Sequence, residues 1–398
     1  MRTLLISTTE PSRKTAGWLY IEGLSEVFSE HSEIHFWFSL LNQEGEFKKT
    51  FAFNFTKETV SKNYVLLKLR SLFKNSYIVH AYHKEHLTSL KRILIDFQPD
   101  VVVFTNLSAG SYVSDVKNIK SDVKTVLIQH NVEHSVACEY SKYGKDIFQR
   151  FYFFVQKQSI NRFEEGIMKE VDHIISISPS DKKIFQEKYS IQESKIHIIK
   201  PLFNYTKNLY NKTKNDRIIS FISSFDWYPN VKGTQFFVEK VFPKLLKKFP
   251  DLKLYLVGRN PVGIIYKLGK KFPENIVITG AVDDIYYYYG FTSCIAIPIF
   301  LGPGIKLKVL EAMASGVPTV MTSYVAKDYG LLDKGFCIAD TPEEFVEHIS
   351  KILTDSEFAN KLSKRQVQWY ENYLISEKEH AEEVIKTILF SHSKNENN

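Results

Sequence analysis

The sequence predicts an α/β fold of two doubly wound, Rossmann-like domains that face each other across a cleft. Short apolar runs alternate with longer amphipathic runs in both halves of the chain. Some of these runs, such as Val101–Phe104 and His173–Ile177, are continuous and rich in β-branched residues, which is typical of parallel strands buried on both faces. The chain has 398 residues, and a single core stops growing near ~250–300 residues, so we expect two cores.

The alternation divides the chain into an N-terminal domain at 1–203, a linker at 204–216, a C-terminal domain at 217–370, and a final helix and tail at 371–398 that could pack back on the first domain. The linker follows Lys200-Pro201, is polar and shows no apolar period. The segment from about Pro342 to Phe390 is helical in pattern, and 391–398 is polar and expected to fray. The predicted strands are Thr3–Ser7, Ile34–Ser39, Val101–Thr105, Thr125–Gln129, His173–Ser178, Lys195–Lys200, Ile218–Ser223, Lys253–Val257, Asn275–Thr279, Cys294–Ile299, Thr319–Thr322 and Phe336–Ile338.

The composition is that of a folded, water-soluble protein, with 44% hydrophobic and 24% charged residues. The net charge of +7 is spread along the chain, which permits contact with an anionic substrate or membrane surface and does not favour nucleic-acid binding. Three widely spaced cysteines lack a C-x-x-C pattern, so we expect reduced thiols and no zinc site. Neither a signal sequence nor a membrane-spanning run is evident, and we expect a cytoplasmic protein, with peripheral contact at the inner face of the membrane as an option.

Residues 146–170 form an aromatic and basic amphipathic segment. Aromatic residues at helical spacing are interleaved with cations, and most such stripes belong to a core. Core packing is therefore the preferred interpretation, ahead of a surface that faces lipid or acceptor. The residues that define the segment are Phe148, Phe151, Phe154, Ile160 and Phe163, with Arg150, Lys157, Arg162 and Lys169.

The stretch from Pro298 to Pro318 is a candidate phosphate site. An apolar strand leads into the turn Gly302-Pro303-Gly304, and a short helix follows. The first turn of a helix carries N–H groups without internal acceptors and a partial positive charge, so it attracts anions.

The residues of the helix after this turn divide between two faces. Leu307, Leu310 and Ala314 suit a core, and Lys308, Glu311, Ala312 and Ser315 share another face. Lys308 and Glu311 could form a solvated ion pair three residues apart, or they could both bind a ligand at the anion site. The helix alone leaves both interpretations open.

Further strand-end loops in the second half are candidates for ligand contact. Ser223–Gly233 again joins a strand to a helix, with Asn230 as a possible cap and Lys232-Gly233 where a second anion contact would come. Asp226 and Asn230 could equally be turn and cap residues only. Leu256–Pro261 and Ile278–Asp284 are similar loops, and Asp283-Asp284 is interpreted as a helix cap in preference to a metal site.

In the first half, His130 follows a predicted strand at the edge where a cleft between the domains would open. His130 and His134 are four residues apart and could chelate zinc, but no glutamate follows the first histidine and no third ligand is evident. A polar contact to substrate and a satisfied structural histidine remain as alternatives.

These motifs together resemble the retaining GT-B glycosyltransferases of family 4. Four landmarks occur in the order typical of that family, and the resemblance is strongest from about 217 to 325. They are His130-Asn-Val-Glu133, Phe221-Ile-Ser-Ser-Phe-Asp-Trp-Tyr-Pro-Asn-Val-Lys-Gly233, Val257-Gly-Arg-Asn-Pro261 and Pro298-Ile-Phe-Leu-Gly-Pro-Gly-Ile-Lys-Leu-Lys-Val-Leu-Glu-Ala-Met-Ala-Ser-Gly-Val-Pro318.

The resemblance implies that the C-terminal domain binds a UDP- or GDP-sugar. Glu311 would accept hydrogen bonds from the ribose, Lys308 and the turn amides would hold the diphosphate, and His130 would approach the donor sugar from the other domain. These three residues would be the catalytic ones. Further donor-binding residues implied by the resemblance are Lys232, Gly233, Gly258, Arg259, Gly280, Val282, Gly302, Gly304, Ile305 and Lys306.

The chain differs from many members of the family at two positions. Pro303 stands where a first glutamate is common, and Asp226 stands where an arginine is common, so the site resembles a subgroup with a glycine-rich turn. The resemblance implies transfer with retention, no cofactor and no metal, and a glycan, lipid-linked or protein-linked acceptor in surface glycan assembly. A non-catalytic nucleotide-sugar-binding or scaffold protein of the same fold and a sugar-nucleotide epimerase are the alternatives.

Overall fold

A computed structural model of the chain describes residues 1–9, 16–41, 54–60, 62–72, 74–202, 205, 207–210 and 217–390. They belong to two compact units, Met1–Phe203 with Ser376–Asn398, and Asn204–Ile375. The domain bounds set from the sequence remain a prediction. Most of the predicted linker at 204–216 and the whole tail at 391–398 lie outside the described residues.

In the described part of the first unit, seven strands form one parallel sheet in the order β3-β2-β1-β4-β5-β6-β7. Leu4 of the first strand pairs with His35 on one side and with Val102 on the other. The chain therefore moves outward from the first strand in both directions, which places a switch point beside the carboxyl ends of β1 and β4. The strands are β1 Arg2–Ser7, β2 Glu33–Leu41, β3 Asn54–Val60, β4 Val101–Phe104, β5 Lys124–Gln129, β6 His173–Ser176 and β7 Ile196–Ile198.

The second unit repeats this plan with a six-stranded parallel sheet among its described residues, in the order β10-β9-β8-β11-β12-β13. Its switch point lies between β8 and β11, and all residues of both strands are buried. The strands are β8 Ile218–Ile222, β9 Lys253–Val257, β10 Ile276–Gly280, β11 Cys294–Ile297, β12 Thr319–Met321 and β13 Cys337–Ile338.

Helices connect the parallel strands, because a parallel connection must cross from one end of the sheet to the other. A π-helical segment, Phe237–Val241, joins two helices of the second unit. None of the described helices is both long and apolar enough to span a bilayer. The helices are α1 Ala16–Ser29, α2 Tyr64–Ser71, α3 Ser76–Ala81, α4 Leu87–Phe97, α5 Val113–Ile119, α6 Glu133–Tyr143, α7 Ile147–Glu170, α8 Pro179–Tyr189, α9 Tyr228–Phe236, α10 Phe242–Lys248, α11 Gly263–Gly269, α12 Ile285–Phe291, α13 Lys308–Ser315, α14 Ser323–Ala326, α15 Pro342–Thr354 and α16 Ser356–Phe390.

The sequence prediction of an α/β fold with two doubly wound sheets is confirmed, and each predicted strand corresponds to an observed one. Strand β3 was missed. Its sequence, Asn54-Phe-Thr-Lys-Glu-Thr-Val60, is polar and no residue of it is fully buried. An edge strand of this kind lacks the continuous apolar run by which buried parallel strands are detected.

Helix α7 corrects the interpretation of the amphipathic segment. Ile160 is 1% exposed, as core packing predicts, but Phe148, Phe151 and Phe154 are 82%, 61% and 60% exposed. The prediction of core packing is therefore wrong for the first half of the helix. The helical period was read correctly, but a period does not reveal which apolar face has a neighbour.

Candidate functional site

The turn that follows β11 has a backbone shape that requires glycine. Gly302 and Gly304 have φ values of 109° and 72°, in the left-handed region. A Cβ added to Gly302 would lie 2.5 Å from Cγ of Pro229, at the start of α9. The turn after β11 is thus in close contact with the turn after β8, at the switch point of the second sheet.

The side chain of Lys306 holds this turn from inside. It is 3% exposed, and its ammonium donates to the backbone carbonyl of Gly302 at 2.8 Å, to that of Pro303 at 2.9 Å, and to that of Gly304. The Tyr324 hydroxyl donates to the same Gly302 carbonyl at 2.6 Å. The ammonium of Lys306 is thus bound to the carbonyls of the turn, and the donor contact predicted for Lys306 remains a prediction.

The ammonium of Lys308 is oriented by the other strand-end turn. It donates to Oγ of Ser223 at 2.6 Å and to Oδ1 of Asn230 at 2.8 Å. Asn230 is 3% exposed, and its amide in turn donates to the Ser224 carbonyl at 2.7 Å. Burial, and then the charge of Lys306, lower the pKa of Lys308 to about 7, although the charge of Glu311 acts in the opposite direction.

The role of Asn230 differs from the predicted one. The N-cap position of α9 is Trp227, and Asn230 lies within the first turn of the helix. Its side chain connects Lys308 to the loop after β8. The sequence identified the residue but not the partner, because the partner lies on a different helix. By contrast, Asp284 caps α12 by accepting from the Tyr286 N–H at 2.8 Å, as predicted.

Glu311 lies one helical turn after Lys308 and is only partly exposed. Burial raises its pKa to about 7, against the charge of Lys308 and a hydrogen bond from Tyr289, which both lower it. The Tyr289 hydroxyl donates to Oε2 of Glu311 at 3.4 Å, and the ring is 1% exposed. Sequence reasoning missed Tyr289, for which the run of four tyrosines after the Asp284 cap was the available signal.

The rest of helix α13 is more buried than its sequence suggested. Ala312 and Ser315 were placed on the face of Lys308 and Glu311, but both are fully buried. The buried residues of the helix are Val309, Leu310, Ala312, Met313, Ala314 and Ser315. Lys308 and Glu311 are thus the polar side chains that an otherwise buried helix presents at its N-terminal end.

The predicted glycines bring several loops to the same edge of the sheet. A Cβ on Gly233 would lie 2.2 Å from the Pro298 carbonyl oxygen, and one on Gly258 would lie 1.8 Å from that of Ser223. The Gly258 N–H donates to the Gly280 carbonyl at 3.2 Å. The loops after β8, β9, β10 and β11 therefore converge, and glycine allows the backbones to approach.

The remaining predicted donor-binding residues surround this edge. Arg259 is exposed, and its Nε donates to Oγ of Ser224 at 3.4 Å. Lys232 is exposed, with its ammonium 5.6 Å from the centre of the Tyr228 ring. Val282 and Ile305 are partly buried.

Asp226 has a structural role at the same edge. Its carboxylate accepts from the Ser224 hydroxyl at 2.6 Å and from the Asn260 amide at 3.0 Å. It therefore ties the loop after β8 to the loop after β9. Pro303, the other position that differs from many family members, contributes its carbonyl to Lys306.

His130 lies in the first unit, directly after β5. Its Nε2 is 2.8 Å from the Thr105 carbonyl oxygen, which can only accept, so Nε2 carries the hydrogen and Nδ1 keeps a lone pair. The ring contacts Tyr20 edge to face at 5.4 Å. Burial lowers the pKa of His130, so the neutral ring dominates at pH 7.

A shared zinc site of His130 and His134 is not supported by their surroundings. His134 Nδ1 contacts the ammonium of Lys188, and its Nε2 lies 3.5 Å from the Cys138 sulfur. Burial and the charge of Lys188 lower the pKa of His134 to about 4. Each histidine ring therefore has its own partners.

The loop that carries His130 is held by Glu164, a residue that sequence reasoning missed. Glu164 is fully buried and accepts from the backbone N–H groups of Glu133 at 2.8 Å and His134 at 3.2 Å. It also accepts from the Gln129 amide at 3.1 Å and the Tyr189 hydroxyl at 2.6 Å. A carboxylate of α7 thus caps α6, and the available signal was an acidic residue at helical spacing between apolar core residues.

Comparison with known proteins gives two family matches and several similar structures. Residues 52–205 match the family described as "Glycosyltransferase Family 4", and residues 216–355 match "Glycosyl transferases group 1". A Klebsiella pneumoniae protein described as "Uncharacterized 44.6 kDa protein in cps region" is 25% identical over 291 residues, which is 71% of this chain and 72% of that protein.

Two solved structures illustrate the similarity of fold. Anabaena Alr3699/HepE, in complex with UDP and glucose, has a TM-score of 0.67 at 12% identity, over 97% of this chain and 100% of the other. WaaG, a glycosyltransferase involved in lipopolysaccharide biosynthesis, has a TM-score of 0.63 at 15% identity, over 96% and 99% of the two chains.

Proposed function

Because this chain belongs to the family 4 glycosyltransferases of the GT-B fold and is a glycosyltransferase of glycan biosynthesis, we propose that it moves a sugar from a nucleoside-diphosphate sugar to a glycan, lipid-linked or protein-linked acceptor. We further propose that transfer retains the configuration of the sugar. The cps-region relative of Klebsiella pneumoniae and the lipopolysaccharide enzyme WaaG support a role in surface glycan assembly. Family membership also favours a transferase over a scaffold protein or an epimerase.

The pair Lys308 and Glu311 carries the proposal. Both side chains project from the first turn of α13 beside a glycine turn, and Ser223 and Asn230 hold the lysine in place. A nucleoside-diphosphate sugar offers a ribose with two hydroxyl donors and a diphosphate with two negative charges, which are the groups that a carboxylate and an ammonium can bind. Glu311 would accept from the ribose, and Lys308 with the turn N–H groups would contact the diphosphate.

The chemistry follows from where charge develops. When the bond from the anomeric carbon to the diphosphate breaks, its electron pair stays on the diphosphate and the sugar becomes cationic. A fixed ammonium and helix N–H groups stabilise the departing diphosphate, and such a contact contributes about 2–4 kcal/mol to lowering the barrier. In this proposal Lys308 supplies the cation, so the reaction requires no metal or cofactor. The acceptor hydroxyl attacks from the face that the diphosphate leaves, and its proton passes to the departing phosphate oxygen.

The other predicted residues complete the proposal. Lys232, Arg259 and the glycines at the edge of the second sheet would surround the donor, and Val282 would border the base. His130, neutral and with an Nδ1 lone pair, would accept a hydrogen bond from a hydroxyl of the donor sugar. The bound UDP of HepE supports a uridine donor, with GDP as the alternative. The enzyme would work in the cytoplasm, in peripheral contact with the inner face of the membrane.

The test is transfer or slow hydrolysis of labelled UDP- and GDP-sugars in the presence of a metal chelator. Turnover by the wild-type chain and its loss in Lys308→Ala and Glu311→Ala are expected. Lys361→Ala serves as the matched control, because that lysine is exposed on α16. Absence of binding of every nucleotide sugar by calorimetry would refute the proposal, and turnover that stops with chelator would refute the metal-independent mechanism.

A further inference from the structure

The first half of helix α7 presents an unusually exposed apolar surface, which we name the aromatic face. Its residues follow one another at helical spacing, so they form one stripe along the helix. Their exposed fractions run from 38% to 82%, and a large apolar patch of this kind marks an interaction surface. The aromatic face consists of Ile147, Phe148, Phe151, Phe154 and Val155.

The opposite side of the helix is packed, which fixes the direction of the aromatic face. Gln156 and Ile160 are 2% and 1% exposed. The Tyr152 hydroxyl donates to Oγ of Ser71 at 3.0 Å, and the Phe153 ring stacks on Tyr140 at 4.8 Å. The helix is therefore anchored on one side, and its aromatic face points away from the unit to which it belongs.

Cations flank the aromatic face. Lys142, Lys145 and Arg150 are exposed, and the Lys157 ammonium lies 4.4 Å from the centre of the Phe154 ring. Between residues 139 and 158 the chain carries four basic and two acidic residues. One of the acids, Asp146, accepts from the Gln149 N–H at 2.8 Å and caps the helix. The surface that surrounds the apolar stripe is therefore basic.

We propose that the aromatic face docks on an anionic phospholipid surface. Aromatic and aliphatic side chains enter the boundary between headgroups and acyl chains, while lysine and arginine extend their charged ends to the lipid phosphates. A second copy of the chain is a poorer occupant, because two such faces would place their flanking cations against each other. The basic residues around the aromatic face therefore favour an anionic membrane over a second copy of the chain as its binding partner.

Helix α2 contacts the anchored side of α7 and also carries exposed apolar side chains. Its last residue, Ser71, accepts from the amide of Gln156 as well as contacting Tyr152. Leu66 and Leu69 of this helix are 59% and 52% exposed.

This inference specifies the peripheral membrane contact proposed above, and it does not depend on the transferase reaction. The full chain is sedimented with vesicles of phosphatidylcholine alone and with vesicles of equimolar phosphatidylcholine and phosphatidylglycerol. We expect binding to the anionic vesicles, weakened by salt. The triple variant Phe148→Ser, Phe151→Ser, Phe154→Ser should bind about a thousandfold less tightly, since each of the three buried phenylalanines contributes roughly tenfold.

Two further variants make the test specific. Ile95→Ser removes an apolar side chain of α4 that is 52% exposed, and it should leave vesicle binding unchanged. Reversing the charge with Lys145→Glu and Arg150→Glu should reduce binding to anionic vesicles by about tenfold or more. Equal binding to both vesicle types would contradict the charge argument.

The remaining outcomes are also distinguishable. If the wild-type chain binds neither vesicle but self-associates in sedimentation, and the triple variant is monomeric, the proposal is overturned in favour of a second copy. The triple variant should hydrolyse a soluble donor at the wild-type rate. Vesicle binding without any turnover of nucleotide sugars would contradict the proposed transferase function and leave the docking surface supported.

Discussion

Replacement of Lys308 by methionine separates the function of this residue from its effect on stability. Methionine has a similar length and no charge, so the variant removes the ammonium and little else. In the wild-type chain the ammonium is held by Ser223 at 2.6 Å and by Asn230 at 2.8 Å. We expect a large loss of activity with little loss of stability.

The magnitude of the activity loss follows from the proposed contact with the diphosphate. A preorganised charge that acts on the leaving group contributes about 2–4 kcal/mol, which corresponds to roughly 30- to 1000-fold in kcat/KM. Affinity for UDP should fall, while affinity for uridine, which lacks the phosphates, should stay within about twofold, because the ribose contact is assigned to Glu311.

The effect on stability is small because two contributions oppose each other. Burial already disfavours the charged form of Lys308 and lowers its pKa to about 7, so an apolar side chain relieves an unfavourable desolvation. The Asn230 oxygen, however, loses its donor, and an unsatisfied buried acceptor costs about 1–3 kcal/mol. We therefore expect a melting temperature within a few degrees of the wild type.

The assay combines donor hydrolysis, calorimetry with UDP, GDP and uridine, and thermal unfolding. Lys361→Met is the control for a general effect of removing a lysine from the same unit. The reasoning would be refuted if Lys308→Met kept kcat/KM within threefold of the wild type. Equal weakening of UDP and uridine binding would also refute it, since the lysine would then act on the fold of the site and not on the phosphates.

Three more predictions concern proton uptake, close packing and a buried cap. Burial lowers the pKa of Lys308 to about 7 in the absence of ligand, so its charge is present below that pH and is lost above it. Binding of the diphosphate should therefore take up a proton above pH 7 and weaken by up to about tenfold per pH unit. Calorimetry in buffers of different ionisation heat should detect this proton uptake. Equal heats and constant affinity from pH 7 to 9 would contradict this. Gly233→Ala should lower the free energy of unfolding by about 1–3 kcal/mol, because the new Cβ would lie 2.2 Å from a carbonyl oxygen. Gly166→Ala should not destabilise the chain, because a Cβ at that position has no neighbour within 4 Å. Equal midpoints of the two variants in chemical denaturation would show that the loops separate at little cost. Glu164→Gln should lower the free energy of unfolding by about 1–3 kcal/mol, because the NH₂ group of glutamine would face a backbone N–H that now donates to a carboxylate oxygen. The neighbouring Glu165→Gln should leave the free energy of unfolding nearly unchanged. An unchanged free energy of unfolding in Glu164→Gln would contradict the role of Glu164 as a cap.

The fold was accessible from the sequence because its signals are local. Buried parallel strands such as β4 and β11 consist of continuous apolar residues, and glycine and proline mark the turns between them. The edge strand β3 escaped detection for the same reason, because its partly exposed residues are mostly polar and include no continuous apolar run. Local patterns report burial on both faces of a sheet more clearly than position at its edge.

The site was only partly accessible. The glycine turn, Lys308 and Glu311 could be identified as candidates, since spacing along one helix is a local property. The partners of those residues are not local. Asn230 orients Lys308 across two strand-end loops, and Lys306, which the resemblance also assigned to the donor, turns back on the carbonyls that precede it. No spacing rule distinguishes two lysines that are two residues apart in this way.

The sequence by itself determined the two doubly wound sheets and the family to which the chain belongs, and it marked the glycine turn after β11 as the candidate anion site. The tertiary structure decided which lysine contacts the loop after β8, which carboxylate caps the helix after His130, and which phenylalanines of α7 remain exposed. The physical reason is the same in each case. Secondary structure and turns follow from neighbours along the chain, whereas hydrogen-bond partners, pKa shifts and exposure depend on residues that only folding brings close.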